Sequence, residues 1–270
     1  MAMRITGKTR IMFILADSVD HIVGSDVLNQ TFERMGLDVA VSPLSIAPDD
    51  LETALATIRR LQNVVGFGVT IPHKIAALSL MDDVTDAAGR VGAVNFVKRE
   101  ADGRLVGHNI DGEGFLQGLV QNGVDVTGAR VLQIGAGGVG KAIAFALAQS
   151  GVRSIDLVNR DAARATALCD AISRAAPDVT VRVRSNAEDV DGGAFDIVVN
   201  ATSLGMHGTD PLPVPLRFLV PSATVAEVIM SPAVTPLLRE AEDRGCRVVA
   251  GAAMMRPQPL LVAQFLGLSG

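Results

Sequence analysis

Val131-Leu-Gln-Ile-Gly-Ala-Gly-Gly-Val-Gly-Lys-Ala-Ile143 is the stretch whose reading decides the fold. Val131 to Ile134 is the short apolar run of a buried parallel strand, and Gly135, Gly137 and Gly140 follow it in G-x-G-x-x-G spacing before a helical pattern. In such a unit the first glycine allows a tight turn, the second lets a pyrophosphate reach the backbone, and the third lets the helix pack on the strand. The helix then aims free N–H groups and its positive dipole end at the phosphates. Ser154 to Val158 reads as a second apolar strand, and Asn159-Arg160 stands at its end, where a dinucleotide fold reads the ribose. The pattern predicts a dinucleotide-binding unit; the plainer alternative is an ordinary α/β domain in which the turn only caps a helix.

Outward from this stretch, composition sets bounds. A chain of 270 residues exceeds the usual single core and predicts two domains, with 49% apolar residues to fill them. A net charge of −5 with no basic stripe argues against nucleic acid and against an anionic membrane surface. Cys169 and Cys246 lie outside any C-x-x-C or Cys/His spacing, so neither a metal nor a disulfide framework is expected, and a reducing cytoplasm fits. The N-terminal stretch lacks a long apolar run behind its charges, and no run reaches the ~18 residues of a membrane span. The expectation is a soluble cytoplasmic protein, monomer or homodimer, acting on a small molecule.

Before the glycine turn the chain alternates strand and helix. Strands are predicted at Arg10 to Leu15, Asp38 to Pro43 and Val64 to Ile71, and helices at Asp26 to Met35, Leu51 to Leu61 and His73 to Met81. Gly92 to Lys98 and Arg104 to Gly107 flank Asp102-Gly103, a hairpin signal, so antiparallel strands are expected at one edge. A helix from Asp111 to about Gln121 links this part to the next. After the turn, a helix at Arg160 to Ala176, strands at Val179 to Arg184, Phe195 to Asn200, Thr224 to Ile229 and Arg247 to Ala250, and a helix at Pro236 to Arg244 describe a mostly parallel, doubly wound sheet. Met254 to Leu266 reads as one last helix with Pro257 and Pro259 near its start. The fold class is α/β in two domains, residues 1–110 completed by 252–270, and residues 111–251 as the Rossmann unit.

Two side chains invite chemistry. Lys74 follows the strand that ends at Val69-Thr-Ile-Pro72, and Asp111 opens the linking helix. Such a pair can exchange a proton when an alcohol and a ketone interconvert. By spacing alone, the plainer reading is a solvated lysine and a helix cap.

Six motifs occur in an order that resembles the shikimate/quinate dehydrogenase family. They are Gly66-Phe-Gly-Val-Thr-Ile-Pro-His-Lys74, Gly92-Ala-Val-Asn95, Asn109-Ile-Asp-Gly-Glu-Gly-Phe115, Asn200-Ala-Thr-Ser-Leu-Gly-Met206, Pro232-Ala-Val-Thr-Pro-Leu-Leu238 and Gly251-Ala-Ala-Met-Met-Arg-Pro-Gln258. The resemblance runs from about residue 20 to the end of the chain. It implies a substrate domain and a Rossmann domain with a cleft between them, hydride transfer with a nicotinamide cofactor, and Lys74 and Asp111 as the catalytic pair. It further implies that Thr70, Asn95 and Gln258 hold the substrate. For the dinucleotide it implies Gly135, Ala136, Gly137, Gly138, Val139, Gly140, Asn159, Arg160, Thr202, Val228 and Gly251.

The pattern also departs from the family. Ile22 and Gly24 stand where two serines grip the substrate carboxylate, Leu28 where a histidine stands, Gly68 for an asparagine, Phe96 and Ile110 for threonines, and Met230 for a tyrosine. A hydrogen bond to a charged group contributes about 1.5–3 kcal/mol, so losing two weakens a carboxylate ligand by a few hundredfold or more. Either His21, Ser18 or Ser25 takes over that grip, or the substrate differs; the chain resembles a divergent branch of the family. The cofactor signal is mixed as well. Arg160 suits the 2′-phosphate of NADP, whereas Asp161 repels a phosphate if it points inward but serves as a helix cap otherwise, so NADP is favoured and NAD stays possible. Two rivals remain: a silent dinucleotide-binding sensor or partner-binding module, and a dehydrogenase for a different substrate.

Overall fold

The computed structural model describes residues 5–20, 22, 24–70, 72–185 and 195–269. They form two compact units, residues 1–110 with 258–270, and residues 111–257.

The first unit is built on a six-stranded mixed sheet. Its elements are β1 (Arg10–Ala16), α1 (Gly24–Arg34), β2 (Val39–Ser45), α2 (Leu51–Ile58), β3 (Val64–Val69), β4 (Asp83–Val84), α3 (Asp86–Val91), β5 (Phe96–Arg99) and β6 (Leu105–His108). The strand order is β2-β1-β3-β5-β6-β4, with β1, β2 and β3 parallel and the β5–β6 hairpin antiparallel. Alternation along β1 gives each face its core. Met12 and Ile14 meet Leu28 and Phe32 of α1, one turn apart, while Leu15 meets Leu51 and Leu55 of α2. The C-terminal segment closes the first of these faces with Leu261, Val262 and Leu266. Gly66 on β3 is what permits this closure: a Cβ there would lie 2.3 Å from the Val97 carbonyl oxygen and 2.7 Å from the Leu266 side chain.

The second unit is a parallel sheet of β7 (Arg130–Ile134), β8 (Ser154–Val158), β9 (Thr180–Arg184), β10 (Ile197–Asn200), β11 (Thr224–Glu227) and β12 (Arg247–Val249). Its order is β12-β11-β10-β7-β8-β9, so the chain starts at the centre and reverses direction between β7 and β10. That is the Rossmann order, and its crevice lies at the reversal. One face packs on α4 (Asp111–Gln121), α5 (Gly138–Gln149) and α6 (Ala162–Ala175) through Phe115, Leu119, Ile143, Leu147, Leu168 and Ile172. The other carries Leu132, Val198 and Val225 against Leu237, Leu238 and Ala241 of α7 (Pro236–Asp243).

Several local expectations are corrected. The helix expected at His73 to Met81 is a turn followed by a 3-10 segment, Ala76–Leu80, because the buried His73 ring bonds the Ile46 carbonyl at 2.9 Å and holds the chain in a turn. The strand β4 and helix α3, between Asp83 and Val91, were not expected; Thr85 caps α3 and Gly92 ends it at φ 74°. The final helix is two, α8 (Ala252–Met255) and α9 (Gln258–Leu266), broken at Pro257, which has no N–H to donate. The break decides where the units part: α8 lies against Gly118 of α4 in the second unit, and the first unit resumes at Gln258 rather than at residue 252.

Candidate active site

In the second unit the glycine turn is held from below by a residue the sequence reading passed over. Gln133, fully buried on β7, donates its amide to the Gly135 carbonyl at 2.9 Å and the Gly140 carbonyl at 2.8 Å, tying both ends of the turn together. Gly135 sits at φ 106°, a conformation glycine adopts without cost, and a Cβ at Gly140 would lie 2.4 Å from the Gly135 oxygen. Around Gly137 and Gly138, by contrast, a Cβ would meet nothing within 4 Å. The turn is thus tight where it packs and open where the N-terminus of α5 begins, and that open backbone fits a pyrophosphate. Ala136 and Val139 complete the turn, and the Ala136 N–H donates to Asn159 Oδ1 at 3.0 Å.

The ends of the neighbouring strands supply the rest. Asn159 donates to the Asp161 carbonyl at 2.8 Å, and Asp161 turns its carboxylate to cap α6, accepting from the Arg164 N–H at 3.2 Å and pairing with the Arg164 guanidinium at 3.2 Å. Its negative charge is therefore occupied at the cap, beside an exposed Arg160. Beyond β10, Asn200 Oδ1 accepts from the Thr202 N–H at 3.1 Å and the Thr202 hydroxyl at 2.6 Å, which fixes the loop carrying Thr202. Beyond β11, Val228 is partly buried against the core, and Gly251 lets the following chain cross Ile229, since a Cβ there would lie 2.2 Å from the Ile229 oxygen.

In the first unit Thr70 and Asn95, two of the residues expected to hold substrate, lie at the end of β3. The Thr70 N–H bonds the Leu15 carbonyl at 3.0 Å, the Val69 N–H bonds Asn95 O at 2.8 Å, and the Lys74 carbonyl accepts from Val94 at 3.0 Å. Thr70, Lys74 and Asn95 are thereby neighbours along one edge. Asn95 is buried, and its Oδ1 accepts from the Ile110 N–H at 3.0 Å, which fixes the side-chain orientation. Lys74 is half-buried, and Gln258 is buried at the start of α9, a helix that packs on α1 and β5. Asp111 is buried as the first residue of α4 in the second unit. His21 lies outside the described residues.

Ile22 and Phe96 pack onto the same core as Ile14, Leu28 and Ile110, and a Cβ on Gly68 would lie 3.2 Å from the Phe96 ring. Among the other histidines, His108 bonds Thr85 Oγ1 at 2.7 Å and packs against Phe265 at 4.7 Å, and burial pulls its pKa below the ordinary value. Glu227, at the end of β11, is a second residue the sequence reading missed; burial pushes its carboxyl up to about 7. A polar residue inside an apolar strand, Gln133 within Val-Leu-Gln-Ile and Glu227 within Val-Ala-Glu-Val, was the available signal for both. No group of three or more His, Cys, Asp or Glu able to hold a metal occurs among the described residues, and no helix there is long and apolar enough to cross a membrane.

The profile of the shikimate dehydrogenase substrate binding domain matches residues 14–97, and that of shikimate / quinate 5-dehydrogenase matches residues 118–205. The shikimate dehydrogenase (NADP(+)) of Rhodospirillum rubrum is 40% identical over 257 residues, which cover 94% of this chain and 90% of that protein. Among solved structures, shikimate 5-dehydrogenase from Listeria monocytogenes, in complex with shikimate and NAD, superposes with a TM-score of 0.91 at 29% identity, covering 99% of this chain and 94% of that one. The 5-ketofructose reductase of Gluconobacter sp. strain CHM43 superposes with a TM-score of 0.88 at 28% identity, covering 97% and 94%. With both halves matched in sequence, the chain belongs to the shikimate/quinate dehydrogenase family.

Proposed function

We propose that this chain is an NADP-dependent dehydrogenase that interconverts a secondary alcohol and a ketone on a shikimate-like ring acid. The observation that carries the cofactor choice is the cap formed by Asp161, which spends the one acidic charge at the ribose position on Arg164 and leaves Arg160 to meet a 2′-phosphate. The names of the Rhodospirillum rubrum protein and its relatives support the same reading. The open backbone at Gly137 and Gly138 fits the pyrophosphate, and Asn159, Thr202, Val228 and Gly251 are the further residues proposed to contact the dinucleotide. A bound NADP supplies hydride transfer at its nicotinamide ring.

The chain's own residues supply the proton and the grip. Lys74 gives a proton to the carbonyl oxygen on reduction and takes it from the hydroxyl on oxidation, and Asp111 is the second residue proposed for that proton transfer. Thr70, Asn95 and Gln258 hold ring hydroxyls. Cys169 and Cys246 are free thiols. Titration calorimetry tests the cofactor reading: Arg160→Ala weakens NADP about tenfold or more and leaves NAD within twofold, as loss of a charge-assisted bond predicts. Equal loss for both cofactors contradicts it.

A second reading is favoured by the apolar set Ile22, Phe96 and Ile110, which stands where the family pattern has a serine and two threonines. It supplies no hydrogen bond for a carboxylate, and a relative of the same fold is a 5-ketofructose reductase. Under this reading the same Lys74 chemistry acts on a polyol or ketose without a carboxylate.

A further inference from the structure

The order of the second sheet gives a dinucleotide a direction. Asn159 and Arg160 follow β8, the glycine turn follows β7, and β10 and β11 lie on the opposite side of β7. With the adenosine ribose at Arg160 and the pyrophosphate at the turn, the nicotinamide half extends over the C-terminal ends of β10 and β11. Those ends carry Asn200 and Glu227, which are register partners on the face covered by α7.

Glu227 is 1% exposed. Its Oε2 accepts from the Thr235 hydroxyl at 3.0 Å, Asn200 also hydrogen-bonds the carboxyl, and Oε1 has no partner among the described residues. Neither partner needs a carboxylate. Thr235 already caps α7 by accepting from the Leu238 N–H, and the surrounding side chains of Val198, Val225 and Leu238 are apolar. An acid retained in this setting is costly unless its charge is used.

Among the described residues no charged neighbour fixes that charge. Burial is the largest influence on the carboxyl, opposed by the hydrogen bonds from Thr235 and Asn200. On α7, Arg239 is exposed; on the loop after β10, Asp210 is held by the amides of His207 and Gly205; on β12, Arg247 is exposed and bonds the Asn122 carbonyl. The carboxyl titrates close to neutrality, where a cell works.

We infer that Glu227 makes the relative affinity of this enzyme for oxidised and reduced dinucleotide depend on pH. The oxidised nicotinamide ring is a cation and the reduced ring is neutral, so a buried carboxylate beneath that half favours the oxidised form and a neutral acid does not. Glu227 touches no reacting atom and acts through its field. The inference rests on the reading that this unit binds NADP. Both forms carry the same phosphates, so phosphate titration cancels in the ratio of their dissociation constants.

Dissociation constants for NADP+ and NADPH, measured by calorimetry from pH 5.5 to 8.5 on the parent and on Glu227→Gln, test it. In the parent, the ratio Kd(NADPH)/Kd(NADP+) rises severalfold with a midpoint near pH 7, as a charge appearing near the ring predicts. In E227Q the ratio is flat, and in E227D the rise returns. A merely structural role shifts both constants together and leaves the ratio's pH profile unchanged. A flat ratio in the parent, or an undiminished rise in E227Q, overturns the inference. Should E227Q not fold, Thr235→Val decides: loss of the donor to Oε2 moves the parent's midpoint upward, and an unmoved midpoint overturns it. Failure to bind either form at any pH refutes the NADP reading itself, a result distinct from binding with a flat ratio.

Discussion

Lys74, Gln133 and Ile22 carry three different kinds of claim at the scale of the single residue. If Lys74 moves the proton, Lys74→Ala lowers kcat by about 10²–10⁴-fold while NADP affinity, measured by calorimetry, stays within twofold. Equal losses in kcat and cofactor binding point to a structural lysine instead. Gln133 makes a separate prediction, because its amide satisfies two buried carbonyls of the glycine turn. Gln133→Leu leaves both without that donor, so denaturant unfolding shows a loss of about 1–3 kcal/mol and the KM for NADP rises with the KM for substrate unchanged. A variant as stable and as tight-binding as the parent shows that the turn holds itself. Ile22 bears on the substrate. Ile22→Ser places a hydroxyl where the family pattern has a carboxylate-gripping serine, and it improves kcat/KM for shikimate over a neutral ketose if the apolar replacements set the preference.

At the scale of elements, glycine separates packing from binding. A Cβ at Gly140 meets the Gly135 carbonyl at 2.4 Å, whereas one at Gly137 meets nothing. Gly140→Ala therefore lowers Tm sharply, while Gly137→Ala keeps the parent's Tm and weakens the dinucleotide by narrowing the open backbone. The reverse order contradicts the geometry of the turn. The long strands and helices were legible because their apolar period was long enough to stand out: β1, β7 and β8 came from apolar runs, and α1 and α2 from residues one turn apart. What escaped was short or locally held. The strand β4 has two residues and α3 six, too few to show a period, and the helix expected after Pro72 gave way to a bond between His73 and the Ile46 carbonyl that no local pattern announces. Motif order singles out Lys74, Asn95 and the glycine turn as candidates, but not Gln133 and Glu227. Their importance comes from which carbonyls and hydroxyls the fold sets beside them, and a motif does not encode that.

For the whole molecule, the buried acid has a cost that unfolding can read. The Glu227 carboxyl stands at about 7 in the folded chain against an ordinary value of 4.5, so between these pH values the folded state holds the proton and the unfolded state has released it. Stability therefore falls as pH rises from about 4.5 to 7, by at most ~3 kcal/mol, and stays at the lower level above 7. His108 works in the opposite sense: its depressed pKa costs stability as pH falls below 6.5. Only the difference between the parent and E227Q isolates Glu227. Thermal melts of the two proteins should diverge in favour of E227Q as pH increases from 5 to 8; parallel curves show that Glu227 keeps an ordinary pKa in the fold.

The central claim is that the chain oxidises a ring acid of the shikimate type with NADP and that Lys74 moves the proton. It is tested most directly by initial rates at high pH, where oxidation is favoured, with shikimate and quinate each offered with NADP and with NAD, to the parent and to Lys74→Ala. The account predicts turnover of shikimate with NADP in excess of every other pair, and its loss in the variant. A parent that binds NADP but turns over neither ring acid, or a Lys74→Ala variant that retains the parent's rate, contradicts it.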